Sequence, residues 1–199
     1  MPKESRILLK SNVLDWVRDL QGAGEVIGPI QEGRAPANDY FFSPLASPEQ
    51  LLLDYTHDLL PLKRFFFSPT ETLLRYRYQD GIQLKAEIDD KKRFFLGVRS
   101  CDMTGVKYFR DVFSANYEDP YVLKKIEAAT FITLACHTPP LDTCFCICID
   151  GGPSLADGYD IQLWDLKDRY LVEVGSEKGM AALANSEKLF KAAREEDFQ

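Results

Sequence analysis

Arg93-Phe-Phe-Leu-Gly-Val98, then Arg99-Ser-Cys-Asp102, and further on Phe131-Ile-Thr-Leu-Ala-Cys136 are the stretches that decide the fold of this chain. Both apolar runs are short and read as buried strands. The residues between them place Met103, Val106, Phe109, Val112 and Phe113 at helical spacing. Strand, crossover helix and strand make a βαβ unit, which is right-handed almost without exception and sets its two strands parallel when they share a sheet. The expected fold class is therefore α/β (α+β mixed). A small, mostly parallel sheet grows from this core, with flanking helices, a C-terminal β-hairpin and terminal helices. Cys101 and Cys136 then emerge at carboxyl ends of parallel strands, the edge where open α/β sheets place ligands.

Working outward, Val13, Leu14, Trp16, Val17 and Leu20 predict a helix over 11–20 with Ser11 and Asn12 as caps. Residues 25–42 break into short apolar pieces around Gly, Pro and Asn, as in small strands or a meander. Ser47-Pro-Glu opens a short helix toward Tyr55, and 59–69 reads as an extended connector whose Phe65, Phe66 and Phe67 pack inward. Ser68, Pro69 and Glu71 form a capping-box signature, predicting a helix through Leu73, Leu74 and Tyr76. Tyr159–Trp164 and Arg169–Val174 alternate about a polar turn and read as a hairpin. A helical region follows from Gly175, with Ser186 capping a last helix that carries Leu189, Phe190 and Ala193.

The chain has 199 residues, enough for one sizeable core, so a single unit over 1–199 is expected, with a helical and meander layer in 1–90 and the βαβ core, cysteines, hairpin and last helices in 91–199. Net charge is −7 and the basic residues are scattered, which argues against nucleic-acid binding. The opening Met-Pro-Lys-Glu-Ser-Arg has no signal-peptide character, and no apolar run approaches the ~20 residues of a membrane span. A cytoplasmic protein is the expectation. In a reducing compartment its five cysteines point to metal ligands or catalytic thiols before structural disulfides.

Four of those cysteines, Cys101, Cys136, Cys144 and Cys146, can meet, because the crossover returns the chain to one sheet edge before the Thr143-Cys-Phe-Cys-Ile-Cys148 run begins. A 4Fe-4S cluster needs four convergent thiolates, and structural zinc needs four S or N ligands around one ion. In an extended segment Cys144 and Cys146 point to one side about 6.6 Å apart, a spacing that suits a cluster better than one zinc. Cys148 continues the same alternation and can replace a ligand or lie as a small buried side chain. The helix beginning near Cys101 aims its amides at the site, with Asp102 near its cap, and Arg99 can add a positive charge or a hydrogen bond. His137 is a candidate for tuning or proton transfer; His57 has no assigned role. A cluster, a zinc site and reduced structural or catalytic thiols all remain compatible with these residues. No GxGxxG fingerprint, P-loop, nucleophile elbow or HExxH motif is present, and no catalytic residue is assigned.

Gly97-Val-Arg-Ser-Cys-Asp102, Asp119-Pro-Tyr121, Thr143-Cys-Phe-Cys146, Gly152-Pro153, Asp168-Arg-Tyr-Leu-Val-Glu-Val-Gly-Ser-Glu-Lys-Gly179 and Phe65-Phe-Phe with Pro69 and Glu71-Thr-Leu together resemble the N-terminal region of the 4Fe-4S dicluster proteins. That family includes the β subunit of soluble NiFe hydrogenase (sulfhydrogenase) and its counterpart in anaerobic sulfite reductase. The resemblance implies an electron-transfer subunit of a multi-component oxidoreductase, relaying single electrons between a flavin or ferredoxin-type partner and a catalytic subunit. It implies one 4Fe-4S cluster on Cys101, Cys136, Cys144 and Cys146, with any flavin on a partner. Two departures stand out. Cys148 occupies a place where a small polar residue is expected, and the family's C-terminal ferredoxin domain has no counterpart in this sequence. The rival expectation is a non-catalytic scaffold with zinc or no metal, or a thiol redox sensor.

Overall fold

In the computed structural model, residues 4–31, 39–79, 81–149 and 151–198 are described. Part of the expected meander, residues 32–38, lies outside them. In chain order the elements are β1 (Glu4–Leu9), α1 (Val13–Ala23), β2 (Glu25–Ile30), β3 (Phe41–Pro44), β4 (Leu74–Tyr78), β5 (Ile82–Ala86), β6 (Arg93–Val98), α2 (Ser100–Ser114), α3 (Pro120–Ala128), β7 (Ala129–Leu134), β8 (Ile161–Asp165), β9 (Arg169–Val174), α4 (Glu177–Ala184) and β10 (Phe190–Ala192), joined by loops and short 3-10 turns.

Eight strands form one sheet in the order β10-β1-β9-β8-β7-β6-β2-β3. The α/β class and the βαβ core hold: β6 and β7 are parallel, and β2 and β8 join them in the same sense on either side. The sheet is mixed, because β3, β9 and β10 enter antiparallel. Strands from the first ninety residues thus pair directly with strands from the rest.

Period-two alternation assigns the faces. Phe94 and Leu96 of β6 and Ile132 and Leu134 of β7 join a core with Trp16, Val17 and Leu20 of α1 and Leu183 of α4. Phe95 and Phe131 join the opposite core, with Met103 and Val106 of α2, Val122 and Ile126 of α3, and Phe66. Phe95 stacks on Phe131 with ring centroids 5.4 Å apart. Phe66 is fully buried, so the inward reading of the triple phenylalanine holds for it, while Phe67 lies half open against Phe109 and Phe113.

The alternation breaks at the end of β6, where the register to β7 shifts between Leu96 and Val98. Gly97 there has φ +90°, and a Cβ on it would stand 2.8 Å from Leu53 Cδ2. Only glycine fits that bulge without strain. Tyr55 Oη donates to the Gly97 carbonyl at 2.8 Å, anchoring the turn that aims Arg99 and Cys101.

Several local expectations are corrected. Leu74–Tyr78 and Ile82–Ala86 pair as the antiparallel β4–β5 hairpin in place of a helix through Leu73, Leu74 and Tyr76. Glu71, the residue that would complete the capping box, pairs instead with buried Lys125 at 2.5 Å, and Arg75-Tyr-Arg-Tyr alternates with period two. Ser186 does not cap a helix: its hydroxyl donates to Asp19 Oδ2 at 2.7 Å. A 3-10 turn at Glu187–Leu189 leads into β10, where Phe190 packs edge-on against Trp16. The 59–69 connector contains a 3-10 turn at Leu62–Phe65, and the helix expected after Ser47 is a single capped 3-10 turn, Pro48–Gln50. The crossover also has a second helix, α3, whose N-cap Asp119 accepts from the amides of Tyr121 and Val122.

Candidate metal centre

Arg99 is the N-cap of α2 and Cys101 its second residue. Cys136 lies two residues past β7, where the Ala135 amide still reaches Leu163 of β8 and the Cys136 amide donates to the Pro153 carbonyl at 2.8 Å. The cysteine loop turns at Leu141–Cys144, and Cys146 then opens a 3-10 turn, Cys146–Ile149. The extended Cys-Phe-Cys geometry, and the shared face it gave Cys148, are therefore overturned: the backbone coils, with the Cys148 amide on the Phe145 carbonyl. Behind it the Gly151 amide donates to the Cys146 carbonyl at 3.0 Å, and the Ser100 hydroxyl donates to the Gly152 carbonyl. These bonds seat the loop on the N-terminus of α2, beside Cys101.

All five cysteines are free thiols. Cys101 is pushed up to about 12, first by loss of hydration at its sulfur and then by Asp102, with Cys136 and Cys146 adding to the shift. Desolvation also raises Cys136; Arg99 opposes this, and Cys144 and Cys146 reinforce it. Mutual electrostatics thus link Cys101, Cys136, Cys144 and Cys146. A bound cation reverses the balance, because a coordinating thiol is deprotonated by the metal's own charge.

Arg99 lies beside Cys136. Its Nη1 donates to Cys136 Sγ at 3.7 Å and its Nη2 to the Tyr55 carbonyl at 2.6 Å, while its guanidinium lies 4.6 Å from the Tyr55 ring centroid. Arg99 Nε is buried without a hydrogen-bond partner. Tyr55 had no sequence signal for this supporting role, because only the fold brings it to the end of β6. His137 faces Trp164 at 6.5 Å between ring centroids and lines a crevice with Lys10, Asp165 and Arg169.

Among the described residues, no three His, Cys, Asp or Glu side chains close on one point that could hold a metal ion. Cys101 and Cys136 follow β6 and β7 at one sheet edge, with Cys144 and Cys146 in the loop after them, a cationic donor at Cys136 and an unsatisfied N–H in the same guanidinium. In donor chemistry the set fits an anionic iron–sulfur group, whose irons each take a different thiolate.

Asp102 is pushed up to about 6, chiefly by burial and then by Asp58, against the pull of Arg99. Asp58 is raised by burial too, and its Oδ2 is buried without a partner. A carboxyl whose folded pKa exceeds its unfolded value leaves the folded state holding more protons. Stability is then full at low pH and declines as pH rises from 3.8 to about 6. Asp102→Asn should stabilise the metal-free protein above that window by on the order of 2 kcal/mol, with no gain below it. Urea unfolding at about pH 4 and about pH 7.5 checks this, and an equal change at both would contradict it.

No protein-family model matches the chain, and no solved structure matches it. Sulfhydrogenase 2 subunit beta of Pyrococcus furiosus is 33% identical over 186 residues, covering 93% of this chain and 52% of that protein. Over nearly its whole length the chain thus resembles a sulfhydrogenase beta subunit, as its cysteine and glycine motifs lead one to expect, while spanning about half the length of that relative.

Proposed function

We propose that this chain is an electron-transfer subunit of a multi-component oxidoreductase of the hydrogenase or sulfur- and sulfite-reductase type. It would hold one 4Fe-4S cluster on Cys101, Cys136, Cys144 and Cys146. The observation that carries the reading is the electrostatic proximity of these four cysteines near the carboxyl edge of β6 and β7, with Arg99 donating to Cys136. The relative's name, a hydrogenase beta subunit, supports the redox assignment.

Once bound, such a cluster takes up and releases electrons singly. The chain's own groups set how readily it does so. Arg99 places a positive charge and a hydrogen bond at Cys136. The N-terminal amides of the fifteen-residue α2 point their partial positive charge the same way. Both favour the more negative, reduced state and raise the potential. Cys101 and Cys144 are exposed, so a partner can approach the site closely. The partners would be a flavin or ferredoxin-type subunit and a catalytic subunit, with the chain acting as one unit in the cytoplasm. Among the described residues no helix is long and apolar enough to cross a membrane.

Anaerobic purification or reconstitution, followed by iron and acid-labile sulfide analysis and electron paramagnetic resonance, tests the proposal. The expected result is about four irons and four sulfides per chain with a signal that appears on reduction. Stoichiometric zinc with no reducible signal would overturn it.

A further inference from the structure

The β4–β5 hairpin forms a two-stranded sheet separate from the main one, and every residue of both strands is exposed. Its register pairs Leu74 with Ala86, Tyr76 with Leu84 and Tyr78 with Ile82, while Arg75 faces Lys85 and Arg77 faces Gln83. Because side chains alternate across a strand, the six apolar residues share one face and the three cations share the other. Tyr76 and Tyr78 are each 78% exposed and Leu84 67%. The hairpin is held at its base, where the Tyr121 hydroxyl donates to the Leu73 carbonyl at 2.8 Å and the Glu87 amide to the same oxygen at 2.9 Å. An isolated pair of strands is marginal in water, and both outer edges of this one are open. A contiguous, exposed apolar face of this kind marks an interaction surface.

Charge selects the occupant. On a chain of net charge −7 the polar face of the hairpin is basic, and Glu87 is shared between Arg75 at 3.2 Å and Lys85 at 3.7 Å. A second copy adding edge to edge would continue the sheet and set two basic faces side by side, which is repulsive. Stacking two apolar faces engages only the two short strands of each copy, well below the roughly 20–30 residues a side of a stable interface. An incoming strand from another protein, with carboxylates on the basic side and apolar side chains on the other, satisfies both faces and supplies the missing edge hydrogen bonds.

We propose that the β4–β5 hairpin docks an extended segment of a different protein in which apolar and acidic side chains alternate, taking it up as a third strand. The inference does not depend on the cluster. The test is fluorescence anisotropy of the full chain with a short fluorescein-labelled peptide alternating valine and glutamate, beside a control peptide with lysine for glutamate. The glutamate peptide should bind saturably and weaken at high salt, and the lysine peptide should not bind. Arg75→Glu/Arg77→Glu and Tyr76→Ser/Leu84→Ser should each weaken binding at least about tenfold. Their thermal unfolding should match the parent, because the hairpin contributes to neither core. The proposal fails if the glutamate peptide does not bind, if both peptides bind alike, or if charge reversal leaves binding unchanged. It also fails if light scattering shows a concentration-dependent dimer that Tyr76→Ser/Leu84→Ser abolishes, which would assign the face to a second copy.

Discussion

Cys101→Ala and Cys136→Ala proteins, reconstituted anaerobically, should each retain at least about tenfold less iron than the parent, while Cys148→Ala retains its full complement. The contrast follows from the loop. Cys101, Cys136, Cys144 and Cys146 lie near enough to act on one another electrostatically, whereas the 3-10 turn at Cys146–Ile149 takes Cys148 off the shared face that an extended strand would have given it. Folding need not be compromised, since Cys101 is exposed and Cys136 only half-buried; matching unfolding curves for the metal-free proteins would establish that. Arg99→Met should behave differently. It should keep iron but lower the midpoint potential in a redox titration, because a cation and a hydrogen bond at Cys136 are removed. If Cys148→Ala loses iron as completely as Cys101→Ala, the ligand set named above is wrong.

Gly179→Ala should be the most destabilising small substitution, costing at least about 3 kcal/mol. A Cβ on Gly179, in the first turn of α4, would overlap the Asp160 carbonyl oxygen and stand 2.9 Å from its carbon. No rotamer relieves a clash with backbone, so α4 or the start of β8 must move. Both are pinned. The Asp160 carboxylate accepts from the Phe131 amide at 2.8 Å and from the Ser176 hydroxyl, its carbonyl accepts from the Gly175 amide, and Lys178 Nζ reaches the Ala129 carbonyl at 2.5 Å. Gly105 on the exposed side of α2 is the control: nothing lies within 4 Å of a Cβ there, so Gly105→Ala should stabilise by about 0.5–1 kcal/mol. Urea unfolding of both variants measures the difference, and similar midpoints would refute the backbone clash.

The centre of the fold was legible because its signals are local and mutually consistent. Phe94, Phe95 and Leu96 read as a strand buried on both faces, and Met103 and Val106 lie at helical spacing, each pattern matching its period without reference to distant residues. The misreadings fall where a local signal competes with a distant partner. Ser68-Pro-x-Glu71 is a sound capping box until buried Lys125, more than fifty residues away, claims the glutamate. Asp119-Pro120 is an N-cap followed by proline at the first helical position, so α3 was recoverable from sequence. Strand β1 was not, because its place between β9 and β10 is set by pairing with residues at the other end of the chain.

The site divides in the same way. The sequence by itself determined the chemistry available, namely thiols at Cys101 and Cys136 following two buried strands, an arginine before the first of them, and two more thiols in the loop after the second. Residue type and period are properties of neighbouring positions, and they survive in any fold that buries those strands. Tertiary structure alone decided that the Cys144–Cys148 loop coils instead of running straight, and that Tyr55 holds Arg99 against Cys136. Those outcomes depend on hydrogen bonds and burial between segments tens of residues apart, which no local periodicity encodes.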